Sequence, residues 1–417
     1  MKLPLSDDEH WVHTWTSMPM ILAPADLPSK NFIEEKIAFT DSTLRQTARI
    51  STGTEKFLRI RLSNLFGTEP LTVTKTTLAL TAGNQSGTSA IEPRTLQKVT
   101  FNGYESTTIP GGAQVVSDPV DFGFSIAPRQ ALSISIFIES GQQFDSITSH
   151  PGSRTTSYLT KGVHVAEDDF NNLAVEQADH WYYISGIEAL VPRNTQAFAL
   201  LGDSITDGRG STTNGDTRWP DFFFQQLLAR SPSPSNPISI VNQAAGGNRV
   251  LADGLGPSVL SRLDRDILSL SGVRFVLIFT GINDIGKAPA DPTSQQILSE
   301  QLIAGYMQLI TRLRAHGLCA FGATLTPFCL RDGTDPSSYS HPQREATRQT
   351  VNQWIRTSGI YDTVVDFDAV LRDPEDCSLL RAEFDSGDGI HPNNRAFMAM
   401  ATAFGISFEE SKNGAET

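Results

Sequence analysis

A chain of 417 residues is long enough for two domains, each with its own buried core. Its 33 basic and 46 acidic side chains leave a net charge of -13, which repels phosphate backbones and anionic lipid surfaces and so excludes nucleic acid and membrane as expected partners. No apolar run approaches the roughly 18 residues that span a bilayer, and residues 1–10 turn acidic without forming the apolar core of a signal peptide. The chain as given is therefore expected in the cytoplasm, or outside the cell if it begins after processing.

Residues 1–20 read as a lead-in. Its stretch Trp11-Val-His-Thr-Trp-Thr-Ser17 has the composition of a strand that docks on the sheet of the catalytic domain. Residues 30–192 follow with short alternating runs. Leu58, Ile60 and Leu62 alternate with Arg59 and Arg61, and Leu132, Ile134, Ile136 and Ile138 with Ser133, Ser135, Phe137 and Glu139. A period of two predicts antiparallel strands with one wet face, and turn signals such as Asn102-Gly103 and Pro110-Gly-Gly112 separate them. The expected accessory domain is β-sandwich or jelly-roll-like. Trp181-Tyr-Tyr183 reads as aromatic strand core, with a substrate wall as the alternative.

From residue 193 to 410 the rhythm changes to alternating strands and helices. Strands are predicted over 196–201, 237–242, 273–280, 318–325 and 363–367, and helices over 219–230, 257–270, 294–316, 343–357 and 394–404. This order predicts a parallel sheet with helices on both faces, in which functional residues gather past the C-terminal strand ends. Four loops should open there: Gly202-Asp-Ser204, 242–249, Gly281-Ile-Asn-Asp284 and Asp388-Gly-Ile-His-Pro392.

Acyl transfer needs a nucleophile, a base, a group that orients the base, and donors for an oxyanion. Ser204 is the candidate nucleophile and His391 the base. Asp388, three residues before His391, is the orienting acid, with Asp385 as the alternative. The backbone N–H groups of Ser204 and Gly247 and the amide of Asn283 are the candidate oxyanion donors. Asp284 is expected to tie its loop by hydrogen bonds. Asn248 and Arg249 are candidate substrate-binding residues, although loop capping is the better reading of both, and Arg209 and Arg218 either hold a carboxylate or pair with nearby acids. Cys319, Cys329 and Cys377 lack zinc-ligand spacing and read as small hydrophobes, although a Cys329–Cys377 disulfide stays open. Gly208-Arg-Gly210 lacks the third glycine of a dinucleotide loop. No metal or organic cofactor is expected.

These blocks resemble, in order, those of the SGNH hydrolases, also called the GDSL esterase/lipase superfamily: Gly202-Asp203-Ser204, Gly247, Gly281-Ile-Asn283-Asp284 and Asp388-Gly-Ile-His391. The first block reads Ile205 where the eponymous motif has leucine. The resemblance covers about half the chain and implies a flavodoxin-like, three-layer α/β/α parallel sheet, nucleophile Ser204, oxyanion donors Gly247 and Asn283, and base His391 oriented by Asp388. The β-rich half is similar to that of members with an accessory β domain. The expected function is a serine esterase that cleaves short acyl esters, preferably acetyl, of a carbohydrate or small natural product. An acyltransferase with the same residues, or a non-catalytic protein that binds a sugar or partner, are the alternatives. A monomer or weak homo-oligomer is expected.

Overall fold

The computed structural model describes residues 7–231, 236–330 and 339–415. The chain divides into two compact units. One comprises Met1–Ala197, Thr213–Gly215 and Asn236–Val241; the other comprises Phe198–Thr212, Asp216–Ser235 and Asn242–Thr417.

The first unit is built of antiparallel sheets. Strand β1 (Glu9–Thr16) lies along β7 (Ile184–Pro192), which also pairs with β3 (Phe57–Ser63). In a second sheet, β2 (Ile37–Arg49) is flanked by β5 (Ala131–Gln143) and β6 (Ser157–Lys161), and β5 pairs in turn with β4 (Lys75–Leu80). The lead-in was expected as an extra strand on the catalytic sheet and needs correcting. Its residues Trp11 and Val12 pair with Leu190 and Ala189, because β7 offers an open antiparallel edge.

The alternation in β3 holds: Leu58, Ile60 and Leu62 are fully buried, while Arg59 and Arg61 both reach Glu188. In β5 it does not predict a wet face. Ser133 and Ser135 are buried as well, and Ser135 Oγ accepts a 2.9 Å hydrogen bond from the buried Arg45 guanidinium. Burying a hydroxyl costs less when it has such a partner, and serine is small enough to fit a covered face without adding bulk. Trp181, Tyr182 and Tyr183 are all core, with Trp181 edge-on to Trp15 at 4.8 Å.

The other sheet carries the five strands β8 (Gln196–Gly202), β9 (Ile238–Asn242), β10 (Val273–Phe279), β11 (Cys319–Ala323) and β12 (Thr363–Val365). Their spatial order is β9-β8-β10-β11-β12, with parallel ladders between β10 and β11 and between β11 and β12. This is the flavodoxin-like order, whose reversal point lies at β8. Residues Ala197 to Leu201 are fully buried, as an apolar run covered on both faces requires. Phe198 is enclosed by Phe275, Phe321, Phe404 and Phe408 at 5.0–5.6 Å between ring centroids.

Helices α1 (Ser204–Asp207), α2 (Trp219–Arg230), α3 (Val259–Leu263), α4 (Ile282–Lys287), α5 (Pro292–Ala315), α6 (Pro342–Thr357), α7 (Phe367–Leu371) and α8 (Asn394–Ala415) connect these strands. The predicted strand at 363–367 stops at Val365, because Asp366 caps α7 by accepting from the Ala369 N–H. The predicted helix 257–270 shortens to α3, followed by a π-helical turn over Asp264–Leu268. The cysteines are free thiols. Among the described residues, no helix is long and apolar enough to cross a membrane.

Candidate active site

Strand β8 ends at Gly202, and the chain reverses into one turn of helix. Asp203 stands at the N-cap in extended conformation, and its carboxylate accepts the Ile205 N–H at 3.1 Å. Gly208 closes the turn by donating to the Ser204 carbonyl at 3.0 Å. Ser204 is thereby fixed at the first helical position, only 9% exposed. Burial pushes the Asp203 carboxyl up to about 7; neighbouring Asp284 and Asp207 push the same way, against the Ile205 N–H.

His391 arrives from the loop before α8. Its Nε2 is 2.8 Å from Ser204 Oγ, and its Nδ1 is 2.7 Å from Asp388 Oδ2. The other Asp388 oxygen accepts the backbone N–H groups of Ile390 (3.1 Å) and His391 (2.8 Å). Burial alone would raise this carboxyl, but the bonds from His391 and Ile390 prevail and hold it well below the usual range. Asp385, the alternative acid, instead accepts the N–H groups of Gly387 and Gly389 and shapes the turn. Arg209 lies at the rim, its guanidinium 3.7 Å from Asp388 Oδ2.

The approach of the two loops depends on Gly210. It adopts φ +97°, and a Cβ there would stand 2.2 Å from the Pro392 carbonyl oxygen. Arg218 does not face a ligand. It is buried, and its Nε donates to the Asp207 carbonyl at 2.9 Å.

The donor side is assembled from separate segments. The Gly246 N–H donates to Asp207 Oδ2 at 3.1 Å, and the Ala245 N–H to the Gly202 carbonyl at 3.3 Å, which ties the 245–247 loop to the nucleophile turn. Asn283 sits in α4; its Nδ2 donates to the Asn248 carbonyl at 3.0 Å, and its Oδ1 accepts from Tyr339 Oη at 2.8 Å. Among the described residues, the N–H groups of Ser204 and Gly247 donate to no protein acceptor. Asp284 accepts from Val250 (2.8 Å) and Leu251 (3.0 Å), tying the loop as expected. Burial raises its carboxyl to about 6 in spite of those two bonds.

Of the two candidate substrate-binding residues, one is taken up by the loop itself. Asn248 is buried rather than offered to substrate. Its Nδ2 donates to the Pro257 carbonyl at 2.7 Å, and its Oδ1 accepts from Arg262 at 2.8 and 3.1 Å, so both ends of the amide are engaged within the protein. Arg249 is partly exposed and donates to the Asp253 carbonyl, which leaves its guanidinium at the surface of the loop. Tyr339 and Arg262 were not foreseen. Tyr339 lies 56 positions from Asn283 and Arg262 lies 14 from Asn248, and no local pattern announces either pairing.

A hydroxyl against an imidazole, the imidazole against a carboxylate, and unsatisfied N–H groups alongside form an arrangement able to perform nucleophilic acyl transfer. Among the described residues, no group of three or more His, Cys, Asp and Glu side chains is placed to hold a metal ion.

Residues 200–397 match the GDSL-like Lipase/Acylhydrolase family. No curated protein matches the chain. Among solved structures, a protein of the G-D-S-L family from Desulfitobacterium hafniense DCB-2 is 18% identical, covering 51% of this chain and 99% of that one at a TM-score of 0.37. A GDSL-like lipase from Bacteroides thetaiotaomicron VPI-5482 is 14% identical over 52% of this chain and 89% of its own, at a TM-score of 0.36. An acetyl xylan esterase from Geobacillus stearothermophilus is 20% identical over 52% and 94%, also at 0.36.

Proposed function

We propose that this chain, whose residues 200–397 belong to the GDSL-like lipase/acylhydrolase family, is a serine esterase that works through an acyl-enzyme. The observation that carries the reading is the continuous relay from Ser204 Oγ to His391 Nε2 at 2.8 Å and from His391 Nδ1 to Asp388 at 2.7 Å. In the first half, His391 takes the hydroxyl proton as Ser204 Oγ bonds to the ester carbonyl carbon. The carbonyl oxygen becomes an oxyanion, held by the N–H groups of Ser204 and Gly247 and the Asn283 amide. His391 then gives its proton to the departing alkoxide, which leaves as the alcohol. In the second half a water attacks the acyl carbon while His391 takes its proton, then passes it to Ser204 Oγ as the bond from Oγ to the acyl carbon breaks, so the acid leaves and Ser204 is restored. Asp388, kept ionised, holds the imidazole in the required tautomer.

The preferred substrate is a short acyl ester, acetyl above all, on a carbohydrate or small natural product. The rim supports this: Arg209 and Arg249 are polar. Leu255, 62% exposed, lies over Gly247, whose Cβ would stand 2.8 Å from its Cδ1, so it is a small apolar wall. Ser204→Ala is expected to abolish p-nitrophenyl acetate hydrolysis with an unchanged circular dichroism spectrum. Persistent turnover would remove Ser204 as nucleophile. Across p-nitrophenyl esters, kcat/KM should fall from acetyl to octanoyl; a rise with chain length contradicts the substrate reading.

A further inference from the structure

We propose that Tyr339 is a positioning residue of the oxyanion site, its hydroxyl fixing the Asn283 amide so that one amide N–H faces the reacting carbonyl oxygen. This rests on the reading of Asn283 as an oxyanion donor. A primary amide has two N–H donors at one end and an acceptor at the other, and a half-turn exchanges them. Turned the wrong way, Asn283 would present carbonyl lone pairs to a developing negative charge. Two neighbours of opposite character specify the correct face. The Asn248 carbonyl only accepts, and it takes one Nδ2 hydrogen at 3.0 Å; the Tyr339 hydroxyl donates to Oδ1 at 2.8 Å. Among the described residues, the second Nδ2 hydrogen meets no protein acceptor.

Each neighbour is itself held. Asn248 is fastened by Arg262 and the Pro257 carbonyl. The Tyr339 ring lies against Gly286, where a Cβ would come within 2.1 Å of Cε1, and edge-on to Phe328 at 6.1 Å. Burial, with the charge of Asp203 behind it, pushes the Tyr339 hydroxyl up to about 12, so it keeps its proton wherever the enzyme works. A donor aligned before the reaction loses nothing to reorientation as the charge forms.

The test is a double-mutant cycle on the full chain with p-nitrophenyl acetate, comparing wild type, Tyr339→Phe, Asn283→Ala and the double variant. Tyr339→Phe keeps the ring and removes only the hydroxyl. It should lower kcat by about tenfold, the scale of one buried hydrogen bond, with KM within about twofold. In the Asn283→Ala background the same change should alter kcat by less than about twofold, because the amide it serves is gone. The rate of inactivation by a p-nitrophenyl phosphonate, which also places a polarised oxygen in the site, should fall in parallel with kcat. An unchanged kcat in Tyr339→Phe, or an equal loss in both backgrounds, overturns the proposal; the latter would mark the hydroxyl as packing alone. Survival of activity in Ser204→Ala would instead sink the esterase reading, which keeps the two failures apart.

Discussion

The two sides of the site are held in opposite ways. On the base side, Asp385, Asp388 and His391 belong to one short loop. The hydrogen bonds that the Asp385 and Asp388 carboxylates accept span two to four residues, and the Asp388 side chain remains 38% exposed. On the donor side, Asn248 and Asn283 are 1% and 6% exposed and are tied to each other, to Arg262 and to Tyr339 across 14 to 56 residues. A local loop of polar residues can lose a proton-handling group and keep its shape. A buried network cannot, since each partner removed strands another inside the protein. Chemistry and stability are thus separable on one side and joined on the other.

The largest test of that contrast is Asp388→Asn. The amide retains an oxygen for the Ile390 and His391 N–H groups but no longer stabilises the imidazolium, so kcat should fall on the order of 10³–10⁴-fold, about 4–5 kcal/mol of barrier. The melting temperature should move by no more than a few degrees. A large loss of stability with intact kcat would erase the distinction. Next comes Arg262→Leu, which strands Asn248 Oδ1 and one bond of Asp266 in the interior. Urea unfolding should report a loss of about 3 kcal/mol, with kcat falling too because Asn248 no longer steadies Asn283.

The smallest effect is expected at Asp203→Asn, which keeps the helix cap and removes a buried acid. The folded carboxyl titrates near 7 against an ordinary 3.8. Below that window the acid is neutral in both states. Through it the unfolded chain gives up its proton while the folded chain retains it, so wild-type stability declines as pH rises and then levels off. The variant should therefore match wild type near pH 4 and exceed it by about 1–3 kcal/mol at pH 8. An advantage that is constant with pH would show that Asp203 is not a buried acid under strain.

The same contrast explains what was legible in the sequence. Asp388 and His391 are separated by three residues on one loop, and Ser204 ends an apolar strand; both are short-range patterns that elementary geometry reads directly. The parallel sheet covered on both faces followed from the alternation of apolar runs with amphipathic segments. The pairing of Asn248 with Arg262 was not readable, because Arg262 faces it only once α3 has packed. Tyr339 carried no signal, since its partner is chosen by the fold rather than by spacing. Ser133 and Ser135 misled for a related reason: period two marks opposite faces, but Arg45, which bonds Ser135, stands opposite it on the neighbouring strand β2, a pairing that leaves no trace in β5 itself.

Gly210 sets a spacing that no bond in the relay enforces. The nucleophile and the base are 187 residues apart in the chain. Their loops close to reacting distance only because no methyl group intervenes between position 210 and the Pro392 carbonyl. Adding one carbon at Gly210 would act as a wedge that spreads the pair while every reacting atom stays present. That position is a gauge for the gap between serine and histidine, open to adjustment without altering either of them.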